Sequence, residues 1–163
     1  MRRVRLVVAV LIAGSAVASI ALPAASRAEE HENGAHDAAA ASGAIQRTPR
    51  PADAKLYIIS PANGDTVSSP VTIRFGLTGM GVAPAGVATP DTGHHHLIVD
   101  APLPPLDKPL PKDAKHIHFG GGQTETTVEL APGPHEIRIV LADKDHVPHD
   151  PPLVSDEVSF TVK

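Results

Sequence analysis

The chain has 163 residues, no cysteine, ten histidines and a formal net charge of −4. This length suits one domain with a single core, and the lack of cysteine excludes disulfides and blue-copper sites, which need a thiolate ligand. The acidic balance argues against binding to nucleic acid or anionic lipid, because both require basic patches.

The N-terminus has the three parts of a secretory signal peptide. A basic start (Met-Arg-Arg-Val-Arg) precedes an apolar stretch from Leu6 to Leu22 and the small-residue sequence Ser26-Arg27-Ala28. We predict that residues 1–28 are removed, which places the mature protein in the periplasm or outside the cell, with no membrane insertion after cleavage. The alternative is an uncleaved anchor, because the apolar stretch approaches the ~20 residues that span a bilayer.

Residues 29–54 are rich in Ala, Gly, Pro, Ser and charged residues and show no apolar periodicity. Such a composition predicts a disordered linker. His31 and His36 fall in this segment, where they belong to a solvated tail or hold metal loosely.

From residue 55 to residue 163, short β-prone runs alternate with turns rich in Pro and Gly, and no segment has a helical period. The pattern predicts an all-β domain, a small immunoglobulin-like β-sandwich of about seven strands behind the signal peptide and linker. Two proline-rich segments, 101–111 and 143–152, are predicted as loops. The predicted strands are Leu56–Ser60, Val71–Leu77, His94–Asp100, His116–Phe119, Thr124–Leu130, His135–Ala142 and Val158–Val162.

Two His-x-His pairs fall on predicted strands. Because side chains alternate across a strand, His94 and His96 share one face, and His95 points to the other. Their Cα atoms lie about 6–7 Å apart, so both imidazoles can reach one metal ion. The second pair, His116 and His118, would complete the site from a neighbouring strand through one or both of its members. Ligation by nitrogen alone favours Cu(II) or Zn(II).

Three motifs in the domain resemble a bacterial exported family that is known only as a domain of unknown function. They are Gly-His-His-His-Leu-Ile-Val-Asp at 93–100, His-Phe-Gly-Gly-Gly-Gln-Thr-Glu at 118–125 and His-Val-Pro-His-Asp-Pro-Pro at 146–152. The resemblance covers nearly all of residues 55–163. It implies an immunoglobulin-like sandwich behind a signal peptide and no established activity.

The resemblance and the strand periodicity give overlapping sets of ligands. The family motifs group His94, His96 and His118 with the loop residues His146 and His149, and they do not include His116. We therefore predict His94, His96 and His118 as metal ligands. The remaining candidates for metal ligands are His95, His146, His149 and His116.

Three other polar residues receive supporting roles. His135 follows a tight turn at the start of a strand, and we interpret it as structural. Asp100 and Glu125 are candidates for acceptors that orient the ligating imidazoles.

Three functions fit these features. The first is an exported, non-catalytic domain that binds a divalent transition metal, Cu or Zn, with another envelope protein as a further partner. The second is a structural or adaptor module of the cell envelope, whose histidines form hydrogen bonds in a rigid rim. The third is a cupin-like metalloenzyme, because His94-x-His96 and Pro132-Gly133-Pro134-His135 partly match cupin motifs. The glutamate that cupins place after His-x-His is missing here, and we assign no catalytic residue.

Overall fold

The computed structural model describes residues 45–163. The predicted signal peptide and residues 29–44, which include His31 and His36, lie outside the described residues. Within residues 45–163, no helix is long and apolar enough to cross a membrane.

Ten β-strands make up the regular structure of the described chain. They are β1 (Lys55–Ser60), β2 (Thr66–Val67), β3 (Val71–Thr78), β4 (Gly81–Val82), β5 (Thr92–Val99), β6 (His116–His118), β7 (Glu125–Val128), β8 (Gly133–Ala142), β9 (Pro148–Val154) and β10 (Val158–Val162).

The strands form two sheets, which confirms the predicted all-β sandwich. The smaller sheet has the order β1-β3-β7, and the larger has the order β2-β10-β8-β5-β4, with β6 paired to β5 and β9 paired to β8. Strands β1, β3 and β7 take the places of strands A, B and E of an immunoglobulin fold. Strands β5, β8 and β10 take the places of C, F and G.

The structure has three strands more than the seven predicted. Strands β2 and β4 have two residues each, too few to show a periodicity in the sequence. Strand β9 contains three prolines, and its segment was therefore predicted as a loop. It tolerates them because β8 is the only one of the ten strands with which it pairs, and the register between the two shifts at Leu141 and Ala142.

The main core lies between the two sheets. In β3 the side chains of Val71, Ile73 and Phe75 are buried and alternate with exposed ones, as the sequence pattern predicted. They pack with buried residues of the larger sheet, which include Leu97, Ile139, Leu141 and Phe160.

The outer face of the larger sheet is also covered. Ile98, Val140 and Ala142 are buried there with Leu110, which belongs to the proline-rich loop between β5 and β6. Every residue of β5 from Gly93 to Val99 is consequently buried. Because His94 and His96 share the face of Ile98, they lie beneath covering loops rather than in the main core.

Residues 47–50 run beside β9. The Asp150 amide donates to the Thr48 carbonyl at 2.9 Å, and Pro49 forms a parallel bridge with Asp150. Composition did not predict these contacts, because they are made by backbone and polar groups and leave no apolar periodicity in the sequence.

Candidate metal centre

Strand β5 places two imidazoles side by side on the outer face of the larger sheet. His94 and His96 are 0% and 2% exposed. They lie opposite Ala142 and Val140 of β8 in the antiparallel register. The Nε2 atoms of the two histidines are 3.0 Å apart.

A third imidazole comes from β6. His118 is the direct partner of His96 in the antiparallel register, so the two side chains lie on the same face. Its ring centroid is 4.9 Å from that of His96 and 5.0 Å from that of His94. One ring nitrogen from each histidine lies within 4.8 Å of the other two, so a single point lies no more than about 2.8 Å from each of the three. Zn–N bonds of about 2.0–2.1 Å would need only a small inward movement of each ring.

Gly120 explains how the His118 ring reaches this position. A Cβ atom at residue 120 would lie 2.4 Å from Cε1 and 2.8 Å from Nε2 of His118, closer than nonbonded atoms approach. The ring therefore occupies the space that any side chain at residue 120 would fill. The sequence alone did not predict this contact between a glycine and a candidate ligand.

A fourth imidazole approaches from the turn between β8 and β9. The ring centroid of His146 lies 4.7 Å from that of His118, 5.0 Å from that of His94 and 6.0 Å from that of His96. The His146 carbonyl accepts a hydrogen bond from the Leu110 amide at 2.9 Å, which joins this turn to the proline-rich loop. Together the four histidines form what we call the imidazole cluster: His94, His96, His118 and His146.

Several ring nitrogens of the cluster are buried without a hydrogen-bond partner. They are Nδ1 of His94, Nδ1 of His96 and Nε2 of His118. Buried polar side-chain atoms in proteins are nearly always paired, because an unpaired one loses its hydration without compensation. The cluster thus has donor and acceptor capacity that the protein alone does not satisfy.

Three imidazoles of the cluster, those of His94, His96 and His118, are held neutral. Burial, followed by the nearby charges of His146 and His118, lowers the pKa of His94 to about 4. Burial, followed by the charges of His94 and His118, lowers the pKa of His96 to about 3. Burial and the charge of His146 also lower the pKa of His118. Neutral imidazoles at pH 7 have a free lone pair, which is the form that binds metal.

Two other candidate ligands, His95 and His149, lie outside the cluster. His95 points into the main core because it occupies the opposite face of β5, and its Nδ1 donates to the Gln123 carbonyl at 3.1 Å. The Nδ1 of His149 donates to the Thr48 carbonyl at 3.2 Å. Its Nε2 lies so near Gly93 that a Cβ there would be 3.0 Å away. Burial is the main cause of a lowered pKa for both rings.

His116 and His135 are engaged by carboxylates. The Nδ1 of His116 lies 2.9 Å from Oδ1 of Asp113, three residues earlier in the chain. His135 bonds through Nδ1 to Asp100 and through Nε2 to the Ala131 carbonyl, both at 2.8 Å. Burial lowers the pKa of His135, but these two hydrogen bonds and the Asp100 charge outweigh it and raise the pKa overall. This supports the predicted structural role of His135.

The two acceptors predicted to orient the ligands serve other groups. Asp100 accepts hydrogen bonds from His135 and from the Glu136 amide. Glu125 lies on the smaller sheet, where it pairs with Arg74 at 3.1 Å. Neither carboxylate therefore orients an imidazole of the cluster. Their partners lie on neighbouring strands, and the sequence alone did not reveal that pairing.

Comparison with known proteins gives a family and no activity. The family described as a domain of unknown function, DUF4399, matches residues 73–163. This is more than half of the chain, and the chain belongs to that family. The matched region begins within β3 and contains all four histidines of the cluster. No curated protein and no solved structure matches the chain.

Proposed function

Since membership of this family brings no activity with it, we propose from the geometry that the domain binds one divalent transition metal ion. His94, His96 and His118 are the primary ligands, and His146 is the fourth. The observation that supports this most strongly is the convergence of one ring nitrogen from each of these three primary ligands within 4.8 Å of one another. The Nε2 atoms of His94 and His96 face each other at 3.0 Å, and Nε2 of His118 is buried without a protein partner.

Cu(II) and Zn(II) are the ions that suit this set of ligands. All four donors are imidazoles, which both ions bind well, and no thiolate is available because the chain has no cysteine. Two nitrogens bound to one ion with bonds of about 2.05 Å lie about 2.9 Å apart at a right angle and about 3.4 Å apart in a tetrahedron. The 3.0 Å separation of the His94 and His96 Nε2 atoms falls within this range.

The proposed role is to hold metal outside the cytoplasm rather than to catalyse a reaction. Four protein ligands fill a tetrahedral ion, whereas catalytic zinc sites leave one position open for water. The basic, apolar and small-residue parts of the N-terminus support export to the periplasm or the exterior. Another envelope protein that delivers or receives the ion is the corresponding partner.

The two alternative functions have less support. Four histidines outside the cluster bond to carbonyl or carboxylate groups, which suits structural roles but identifies no adaptor surface. A cupin-like site would need His135 beside His94 and His96. Both ring nitrogens of His135 are instead bonded to Asp100 and to the Ala131 carbonyl.

Calorimetric titration of the purified, untagged protein with Cu(II) and Zn(II) tests the proposal. A background that carries His31→Ala and His36→Ala removes weak binding by the N-terminal segment. We expect one-to-one binding that is lost in His94→Ala/His96→Ala/His118→Ala.

The matched control is His116→Ala, which removes a histidine from the same strand as His118 and should leave binding unchanged. His118→Ala alone removes a half-buried ligand with little risk to the fold, and thermal unfolding of each variant verifies that it is folded. Weak binding at several sites, unchanged in the triple variant, would overturn the proposal.

A further inference from the structure

The segment Arg47–Arg50, which we call the N-terminal clasp, is attached to β9 and to the turn that precedes it. Arg47 Nε donates to the Pro148 carbonyl at 3.1 Å, and Arg50 Nε donates to the Pro151 carbonyl at 2.8 Å. The Thr48 carbonyl accepts from the Asp150 amide and from Nδ1 of His149. The clasp thus lies directly beside the turn that presents His146.

A single carboxylate links the clasp to that turn. The Thr48 hydroxyl donates to Oδ2 of Asp143 at 2.7 Å. The other oxygen of Asp143 accepts hydrogen bonds from the Asp145 amide at 2.9 Å and the Val147 amide at 3.1 Å. Asp143 is only 5% exposed, so water cannot readily replace a lost partner.

The turn depends on these bonds because His146 has an unfavourable backbone conformation. Its φ is +66°, in the left-handed region that L-residues with a Cβ disfavour. The turn is closed by two backbone hydrogen bonds, from the His146 amide to the Asp143 carbonyl and from the Asp143 amide to the Val147 carbonyl. The Asp143 carboxylate adds bonds to the two residues on either side of His146 and so fixes the direction of the ring.

We propose that the clasp positions His146 as a metal ligand, so that metal affinity depends on whether the clasp is docked. This inference rests on the proposed function, because it assigns a control to the same site. Thr48 is a positioning residue: it holds Asp143, Asp143 holds the turn, and the turn holds the imidazole. An event that pulls residues 47–50 from β9 would reduce the site to the three histidines carried by β5 and β6.

The test is Thr48→Val in the whole protein, titrated with Cu(II) alongside His146→Ala and the double variant. Valine keeps the shape of threonine and removes only the hydroxyl. We expect Thr48→Val to weaken Cu(II) binding about tenfold, the lower end of the effect of residues that orient ligands. In the His146→Ala background the same change should have no further effect, since its target is already gone. The Cu(II) EPR spectrum of Thr48→Val should shift toward that of His146→Ala.

The matched control is Thr72→Val on the smaller sheet, whose hydroxyl lies 3.3 Å from the Thr127 hydroxyl and far in sequence and sheet from the imidazole cluster. Unchanged Cu(II) affinity in Thr48→Val, or an equal loss with and without His146, would overturn the inference while leaving the three-histidine site intact. If the proposed function itself is wrong, the triple variant His94→Ala/His96→Ala/His118→Ala will bind Cu(II) as well as the wild type does. Amide exchange of the metal-free protein gives an independent readout. It should quicken at Asp145 and Val147 in Thr48→Val, and unchanged exchange there would also contradict the inference.

Discussion

Replacing Gly120 with alanine should weaken metal binding without damaging the fold. The new Cβ would lie 2.4 Å from Cε1 of His118, whereas ordinary contacts begin at 3.4 Å, so the ring must move by about 1 Å. The backbone at Gly120 does not have a positive φ and therefore accepts alanine. The strain is relieved by displacing the imidazole.

The displacement is large compared with the tolerance of a metal bond. A nitrogen moved about 1 Å from a bond of about 2.0–2.1 Å no longer binds the ion well. We expect Cu(II) or Zn(II) affinity to fall by about 10–100-fold, equivalent to about 1.4–2.8 kcal/mol. Stability of the metal-free protein should change by less than about 1 kcal/mol, because alanine also reduces the entropy of the unfolded chain.

A competition titration against a chelator of known affinity would measure the loss, and thermal unfolding would confirm the fold. Gly121→Ala is the control, because its Cβ would meet only the flexible Gln123 amide, at 3.1 Å or more. If Gly120→Ala binds metal as tightly as the wild type, His118 is not held as a ligand in the way that we infer.

Three further predictions concern stability. The pKa values of about 4 for His94 and about 3 for His96 lie below the unfolded value of 6.5, so the unfolded chain takes up protons first. The contribution of these two histidines to the stability of the metal-free protein should be full above pH 6.5 and fall toward pH 3. Urea denaturation that gives equal stability at about pH 7 and about pH 4.5 would contradict this. The pKa of His135 is raised in the folded protein, so its effect on stability has the opposite pH dependence. Its contribution to the free energy of unfolding is present below pH 6.5 and is lost as the pH rises through the pKa of the folded state. Denaturation of His135→Gln should therefore show a larger loss at about pH 5.5 than at about pH 8.5, and an equal loss would refute it. Gly93→Ala would place a Cβ 2.6 Å from a carbonyl of β8 and should cost about 1–3 kcal/mol in the same assay, whereas wild-type stability would show that the sheet can relax there.

Strands could be predicted from the sequence where apolar residues occupy alternate positions, because one face of such a strand packs into the core. Alternation in β3 indicated both the strand and its inward face. In β8 the alternate positions of Ile137, Ile139 and Leu141 did the same, although the outer-face residues Val140 and Ala142 are buried as well. Strand β9 was not predicted, because its prolines suit only an edge with a bulge, and the edge position is a property of the whole sheet. The two-residue strands β2 and β4 exist only through pairing with distant strands.

The candidate site could be predicted in part. Alternation on β5 separated His94 and His96 from His95, as the structure shows. The choice between His116 and His118 depends on register, which pairs His118 with His96, and strand periodicity alone does not determine it. The approach of His146 and the docking of residues 47–50 arise from tertiary contacts between segments far apart in the chain.

Anomalous diffraction from a crystal of the protein grown with Zn(II) or Cu(II), recorded at the absorption edge of the metal, tests the central claim most directly. We predict one strong peak at about 2.0–2.1 Å from a ring nitrogen of each of His94, His96 and His118, with His146 completing the set. Ordered metal bound only elsewhere, with these imidazoles free of it, would contradict the proposed site.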